Sequence, residues 1–75
     1  MSDITARLAD DLAQEAIALA RELGDEDLVT EVANVIGAGS ATTQEAFLTA
    51  VRIRTAEARA RAYLAERRAQ GAAKG

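Results

Sequence analysis

The sequence predicts an all-α protein, and three observations carry that expectation. Proline is absent, glycine occurs only at positions 24, 37, 39, 71 and 75, and apolar residues recur at intervals of three and four. The glycines divide the chain into three helical segments. The expected architecture is a small three-helix protein, two longer antiparallel helices joined by a short middle helix, assembling into a helical bundle. Residues 1–70 form the single domain and residues 71–75 a flexible C-terminal tail.

The first helix is expected from about Asp3 to Leu23. Leu8, Leu12, Ala16, Leu19 and Leu23 form one apolar stripe, and Asp10, Asp11, Glu15 and Glu22 occupy other faces. Ser2 or Asp3 can cap its start. Gly24 is placed to take the left-handed conformation that ends a helix.

The second helix is expected from about Glu26 to Ile36, with Asp25 as N-cap. Glu26 and Asp27 then fall in the first turn, where the helix dipole favours negative charge. Leu28, Val29, Val32 and Ile36 make its apolar face, and Gly37 is expected to stop it.

A loop over residues 37–41 should follow. Thr42-Thr43-Gln44-Glu45 then reads as a capping box, with Ser40 as the alternative cap. The third and longest helix is expected from about Thr43 to Arg68 or Ala69. It carries a heptad seam of Leu48, Val51, Thr55, Ala58, Ala62, Ala65 and Ala69. Small seam residues allow helix axes to approach closely, although alanine at that spacing also arises as filler in an Ala-rich helix. Five of the six flanking residues are cationic: Arg52, Arg54, Arg59, Arg61 and Arg68, the exception being Glu66. A second apolar strip of Ile53, Ala56, Ala60, Tyr63 and Leu64 lies on roughly the opposite side. A helix that is apolar on two sides usually has neighbours on both; the alternative is that Tyr63 and Leu64 close over the same small core, with long Arg stems covering the remainder.

Size sharpens the expectation of assembly. A chain of 75 residues buries only about 60% of its unfolded surface and needs reinforcement. Disulfides are excluded because Cys is absent, and His, the commonest metal ligand, is absent too. Nineteen residues are alanine, and Phe47 and Tyr63 are the only aromatics. An alanine methyl contributes well under half of the roughly 1.5–3 kcal/mol from burying a Leu or Phe. Association with another subunit is the remaining route.

Charge is divided along the chain. Residues 1–45 carry a net charge of −8 and residues 46–75 a net charge of +5. The asymmetry can orient antiparallel pairing or present a basic helix to nucleic acid. It can equally be a solvated surface with pairs such as Glu57–Arg61.

Catalysis by acid–base or nucleophilic routes leans on His, Cys or an activated Ser or Lys. His and Cys are missing and the only lysine is Lys74, so the chain is expected not to be an enzyme, with no catalytic residue, cofactor or metal. Asp25-x-Asp27 fails as a calcium loop, because Leu28 and Val29 follow and no glycine holds the sixth place. Gly37-x-Gly39-Ser40-x-Thr42-Thr43 superficially resembles an anion cradle but has no preceding strand or lysine. Residues 32–43 loosely echo a helix–turn–helix, yet the start of its second helix offers no Arg before Arg52, and the pI is near 4.8.

The functional expectation is therefore a non-catalytic protein-interaction module: an adaptor, accessory subunit or regulator. It would act as an oligomer through Val51, Arg52, Arg54, Ala58, Arg59, Arg61, Ala62, Tyr63 and Leu64. The alternative is a nucleic-acid-binding regulator using the helix–turn–helix-like unit and the basic helix. No small-molecule substrate is evident. Met1-Ser2-Asp3-Ile4 lacks the basic region and apolar run of a secretory signal, so the expected compartment is the cytoplasm. The Ala and Arg richness fits a GC-rich bacterial genome.

Overall fold

The computed structural model describes residues 3–74, with side-chain burial for residues 4–71. It contains three helices: α1 (Asp3–Leu23), α2 (Leu28–Gly39) and α3 (Ala41–Lys74). The protein is a small all-α three-helix fold, as expected.

α1 has the predicted bounds, and its end is set by Gly24. That residue has φ +66°, a backbone conformation that costs a Cβ-bearing residue energy. The Asp25 amide donates to the Ala20 carbonyl at 2.9 Å and the Gly24 amide to the Arg21 carbonyl at 3.3 Å. Together these form a Schellman cap, which satisfies carbonyls the helix end would leave free.

α2 departs from expectation at both ends. It starts at Leu28, because the Asp25 carboxylate accepts the Asp27 amide at 3.0 Å and closes a turn over residues 25–27. Asp25 is thus a turn former and not the N-cap, and Glu26 and Asp27 precede the helix. Nor does Gly37 stop α2, which continues to Gly39. Gly37 has a packing reason instead: a Cβ there would fall 2.4 Å from Nε2 of Gln44. The Gln44 amide lies across α2 and donates to the Ala33 carbonyl at 3.0 Å.

Ser40 alone joins α2 to α3, so the expected loop over residues 37–41 is absent. It is extended (φ −159°, ψ 110°), and its amide donates to the Ile36 carbonyl at 2.9 Å. Its hydroxyl oxygen accepts the Thr43 amide at 3.1 Å, while its hydroxyl is also bonded to Thr43 Oγ1 at 2.9 Å. One residue therefore ends α2 and caps α3. The Thr42–Glu45 capping box does not form, and Ser40, its alternative, takes the role. α3 runs on through Gly71 to Lys74, beyond the expected end near Arg68.

The two long helices ascend side by side in the same sense, not antiparallel. One groove brings Ala6 and Asp10 of α1 against Ala46, Thr49 and Ile53 of α3. The next brings Gln14, Ile17 and Arg21 against Arg54, Ala58 and Ala62. The physical reason is that α2 is a full returning helix and not a corner. Two changes of direction, at Gly24 and at Ser40, restore the original sense.

The core is small. Phe47 is its one large side chain and is fully buried, surrounded by Ala9, Ala13, Ala16, Ala33 and Ala50. Leu28, Val29, Val32, Ile36, Ala46, Leu48 and Val51 pack partly buried around it. Of the predicted α1 stripe only Ala16 is buried, while Leu8 and Leu23 are 57% and 61% exposed. α1 turns its alanine line inward, because small side chains let its backbone approach the Phe47 ring closely.

The molecule is long and flat. Its principal extents are 54 × 32 × 13 Å and its radius of gyration is 15.7 Å, against about 11 Å for a compact chain of this length. α3 accounts for the longest dimension, since 34 residues at about 1.5 Å each span roughly 51 Å.

Candidate functional site

The residues singled out on the long helix fall into three groups. Val51 and Arg54 are half-buried within the chain. Arg52, Ala58, Arg59, Arg61 and Ala62 are exposed, with Ala58, Arg59 and Ala62 lining the open groove against Gln14, Ile17 and Arg21 of α1. Tyr63 and Leu64 are 56% and 59% exposed, on a stretch where every residue from Ala58 to Gly71 is exposed. The heptad seam is only partly used: Leu48 and Val51 meet the core, while Ala58, Ala62, Ala65 and Ala69 stand open.

Arg54 is engaged internally. Its Nε donates to Oδ1 of Asp10 at 2.8 Å and its Nη2 to Oδ2 at 2.6 Å, a bidentate clasp between α3 and α1. Nη1 also reaches Glu57 at 3.4 Å. The hydrogen bond from Arg54 holds the Asp10 carboxyl below its ordinary value, partial burial opposing it, and the hydrogen bond from Gln14 adds to the lowering. The same clasp raises the Arg54 guanidinium. Arg61 donates to Glu57 through Nε at 3.0 Å, forming the expected i,i+4 pair. Arg67 reaches the Tyr63 hydroxyl at 3.3 Å and steadies the aromatic side chain on the helix surface.

A second feature was not read from the sequence. Between α1 and α2 lies an open groove lined by Leu12, Ala16, Leu19, Leu28 and Val32, with Glu15 and Glu22 among its wall residues. Its floor is apolar and its titratable lining is acidic. Leu8, Leu23 and Val35 are further large apolar side chains exposed on the same two helices. The signal for it was present: α1 carries one line of leucines and another of alanines, and only one of them can face a single core.

Other chemistry is sparse. Among the described residues no group of three or more His, Cys, Asp and Glu side chains is placed to hold a metal ion. No described helix is long and apolar enough to cross a membrane. The glycine-containing stretch over residues 37–43 is a helix end joined through Ser40 to the next helix, with its hydroxyls bonded to each other. A helix–turn–helix uses a turn of about 3–4 residues, whereas Ser40 is the only residue between α2 and α3. Compared with protein-family models, with curated proteins and with solved structures, the chain matches none of them.

Proposed function

We propose that this chain is a non-catalytic protein-interaction module, an adaptor, accessory subunit or regulator of the bacterial cytoplasm, acting through the C-terminal half of α3. The observation that carries the reading is the exposure of Tyr63 and Leu64 on a stretch of α3, from Tyr63 to Gly71, that lies past its groove with α1 and is exposed throughout. Aromatic and large aliphatic side chains on such a rod lose contact with water only when another surface covers them. Arginines beside them suit such a role, because a guanidinium packs its stem on apolar surface and keeps its charge directed outward.

The test is the double substitution Tyr63→Glu with Leu64→Glu in the full chain. Both positions are exposed, so helicity by circular dichroism should be retained. Loss of self-association, or of a protein captured by the wild-type chain from its native cell, is the expected result. An unchanged mass together with an unchanged set of captured proteins would overturn the proposal. Retention of nucleic acid at low salt, with affinity falling steeply as salt rises, would favour a nucleic-acid partner instead.

A further inference from the structure

The α1/α2 groove and the projecting half of α3 are complementary in three independent respects. The first is length. From Tyr63 to Lys74 the helix spans roughly 17 Å, and the α1 wall of the groove from Leu12 to Glu22 spans roughly 15 Å, at about 1.5 Å per residue.

The second is chemistry. The groove has an apolar floor of Leu12, Leu19, Leu28 and Val32, with Glu15 and Glu22 beside it. The arm presents Tyr63 and Leu64 with Arg67 and Arg68 beside them, all exposed. Apolar surface faces apolar surface, and four charges stand with signs opposed.

The third is area. The chain exposes 5740 Å², about 1,300 Å² more than the roughly 4,400 Å² expected of a compact chain of 7.9 kDa. A stable interface removes about 800 Å² from each partner. The surplus is large enough to supply one.

An arm cannot lie in its own groove. α3 is continuous from Ala41 and ascends beside α1 on the side of Asp10 and Arg21. Its free end lies beyond the region where the two helices meet. A second copy can receive it, and a two-fold axis would make the exchange reciprocal, each copy giving an arm and a groove. We infer that the protein forms a homodimer in which the α3 arm of each copy, through Tyr63, Leu64, Arg67 and Arg68, seats in the α1/α2 groove of the other.

The inference rests on the proposed role of α3 in protein contact and names the occupant. It belongs to the helix-in-groove mode of recognition, with large apolar anchors giving affinity and the charges giving orientation. Dimerisation also compensates for a core that holds a single large side chain.

The experiment is a charge exchange read by light scattering on the full chain. The wild type should have twice the 7.9 kDa mass of one chain. Glu15→Arg with Glu22→Arg should halve that mass, as should Arg67→Glu with Arg68→Glu. Mixing the two double variants should restore the dimer. In one contact the reversed groove then meets the reversed arm, and in the other both surfaces are unaltered.

All four positions are exposed, and circular dichroism verifies that each variant remains helical. A wild-type chain that is monomeric across the concentration range overturns the inference. So does a dimer whose mass neither double variant changes, or a mixture that fails to restore it. If the wild type is monomeric yet captures another protein that Tyr63→Glu with Leu64→Glu releases, the interaction role stands and the self-pairing falls.

Discussion

From Ala41 to Arg54, α3 carries two buried and six half-buried residues against α1 and α2, whereas from Thr55 to Gly71 only Glu57 is half-buried and the others are exposed. Both halves are helical, for different reasons. The first is held by Phe47 and Ala50 in the core, by the Ser40 cap and by the Arg54–Asp10 clasp. The second is held by local terms: alanine and arginine propensity, with the i,i+4 pairs Glu57–Arg61 and Tyr63–Arg67. A short isolated helix is marginal in water, so the outer half depends on its continuity with the anchored half. Helical conformation and tertiary burial are thus separable along a single element, and surface free of internal duties is available for contact.

The sharpest way to break the comparison is to truncate one large side chain in each half. Phe47→Ala removes the only large side chain that is fully buried among the described residues and should cost about 3–5 kcal/mol of folding stability. Leu64→Ala, made in the Glu15→Arg, Glu22→Arg background that the inferred pairing predicts to be monomeric, should change stability by less than about 0.5 kcal/mol. Urea unfolding followed by circular dichroism measures both. Equal losses would show that the outer half is packed within the monomer.

The next effect lies at the end of α1. Gly24→Ala forces a Cβ into the left-handed region and should cost about 1 kcal/mol. Thermal unfolding is the measurement, and an unchanged midpoint would show that the turn has another conformation open to it. No atom lies within 4 Å of a Cβ placed there, so any loss is conformational and not steric.

A smaller effect, confined to acid, tests the clasp that separates the two halves. The Asp10 carboxyl titrates below its ordinary value of 3.8 because it accepts hydrogen bonds from Arg54. A carboxyl whose folded value is depressed adds stability that is fully present above the unfolded value. That stability disappears as pH falls through the folded value. Carbon-detected NMR should therefore place the Asp10 midpoint below 3.8 in the wild type and move it upward in Arg54→Gln. The stability difference between the two proteins should vanish at the acid end. Because both side chains retain contact with water, the effect on stability is screened and small.

How much of the fold is legible in the sequence follows from the range of the forces involved. The α1 bounds and the role of Gly24 were legible because a Schellman cap is written in adjacent residues. The Glu57–Arg61 pair was legible for the same reason. The start of α2 was not, because Asp25 can cap a helix or close a turn, and its carboxylate does the latter. Helical spacing identified α1 but could not decide between its two apolar lines. The choice of the alanine line depends on how closely Phe47, more than twenty residues away, must be approached. The same limit hid the groove: Leu12 and Leu19 were visible as helix residues, while Leu28 and Val32, which complete the floor with them, join only when α2 folds back. The relative sense of α1 and α3 likewise depended on whether the middle segment returns along α1.

Gly37 gives the smallest expected effect and separates two accounts of a helical glycine. As a helix stop, its replacement by alanine would extend α2 and disturb the turn. As a packing residue, its replacement has opposing consequences that nearly cancel. Alanine is favoured over glycine inside a helix by about 1 kcal/mol. The new methyl group, however, would occupy the place of the Gln44 amide, 2.4 Å from its Nε2. Gln44 can swing aside, since only the end of its side chain is in the way, but it then gives up its hydrogen bond to the Ala33 carbonyl, a net contribution of about 1 kcal/mol. Gly37→Ala should therefore leave stability within about 0.5 kcal/mol of the wild type. Adding Gln44→Ala should reveal the sign of each part, because the glycine substitution made in that second background meets no obstruction and should be stabilising by up to about 1 kcal/mol. A double-mutant cycle measured by urea unfolding gives the coupling directly. Zero coupling would mean that Gln44 does not pack over Gly37, and that the glycine is there for another reason.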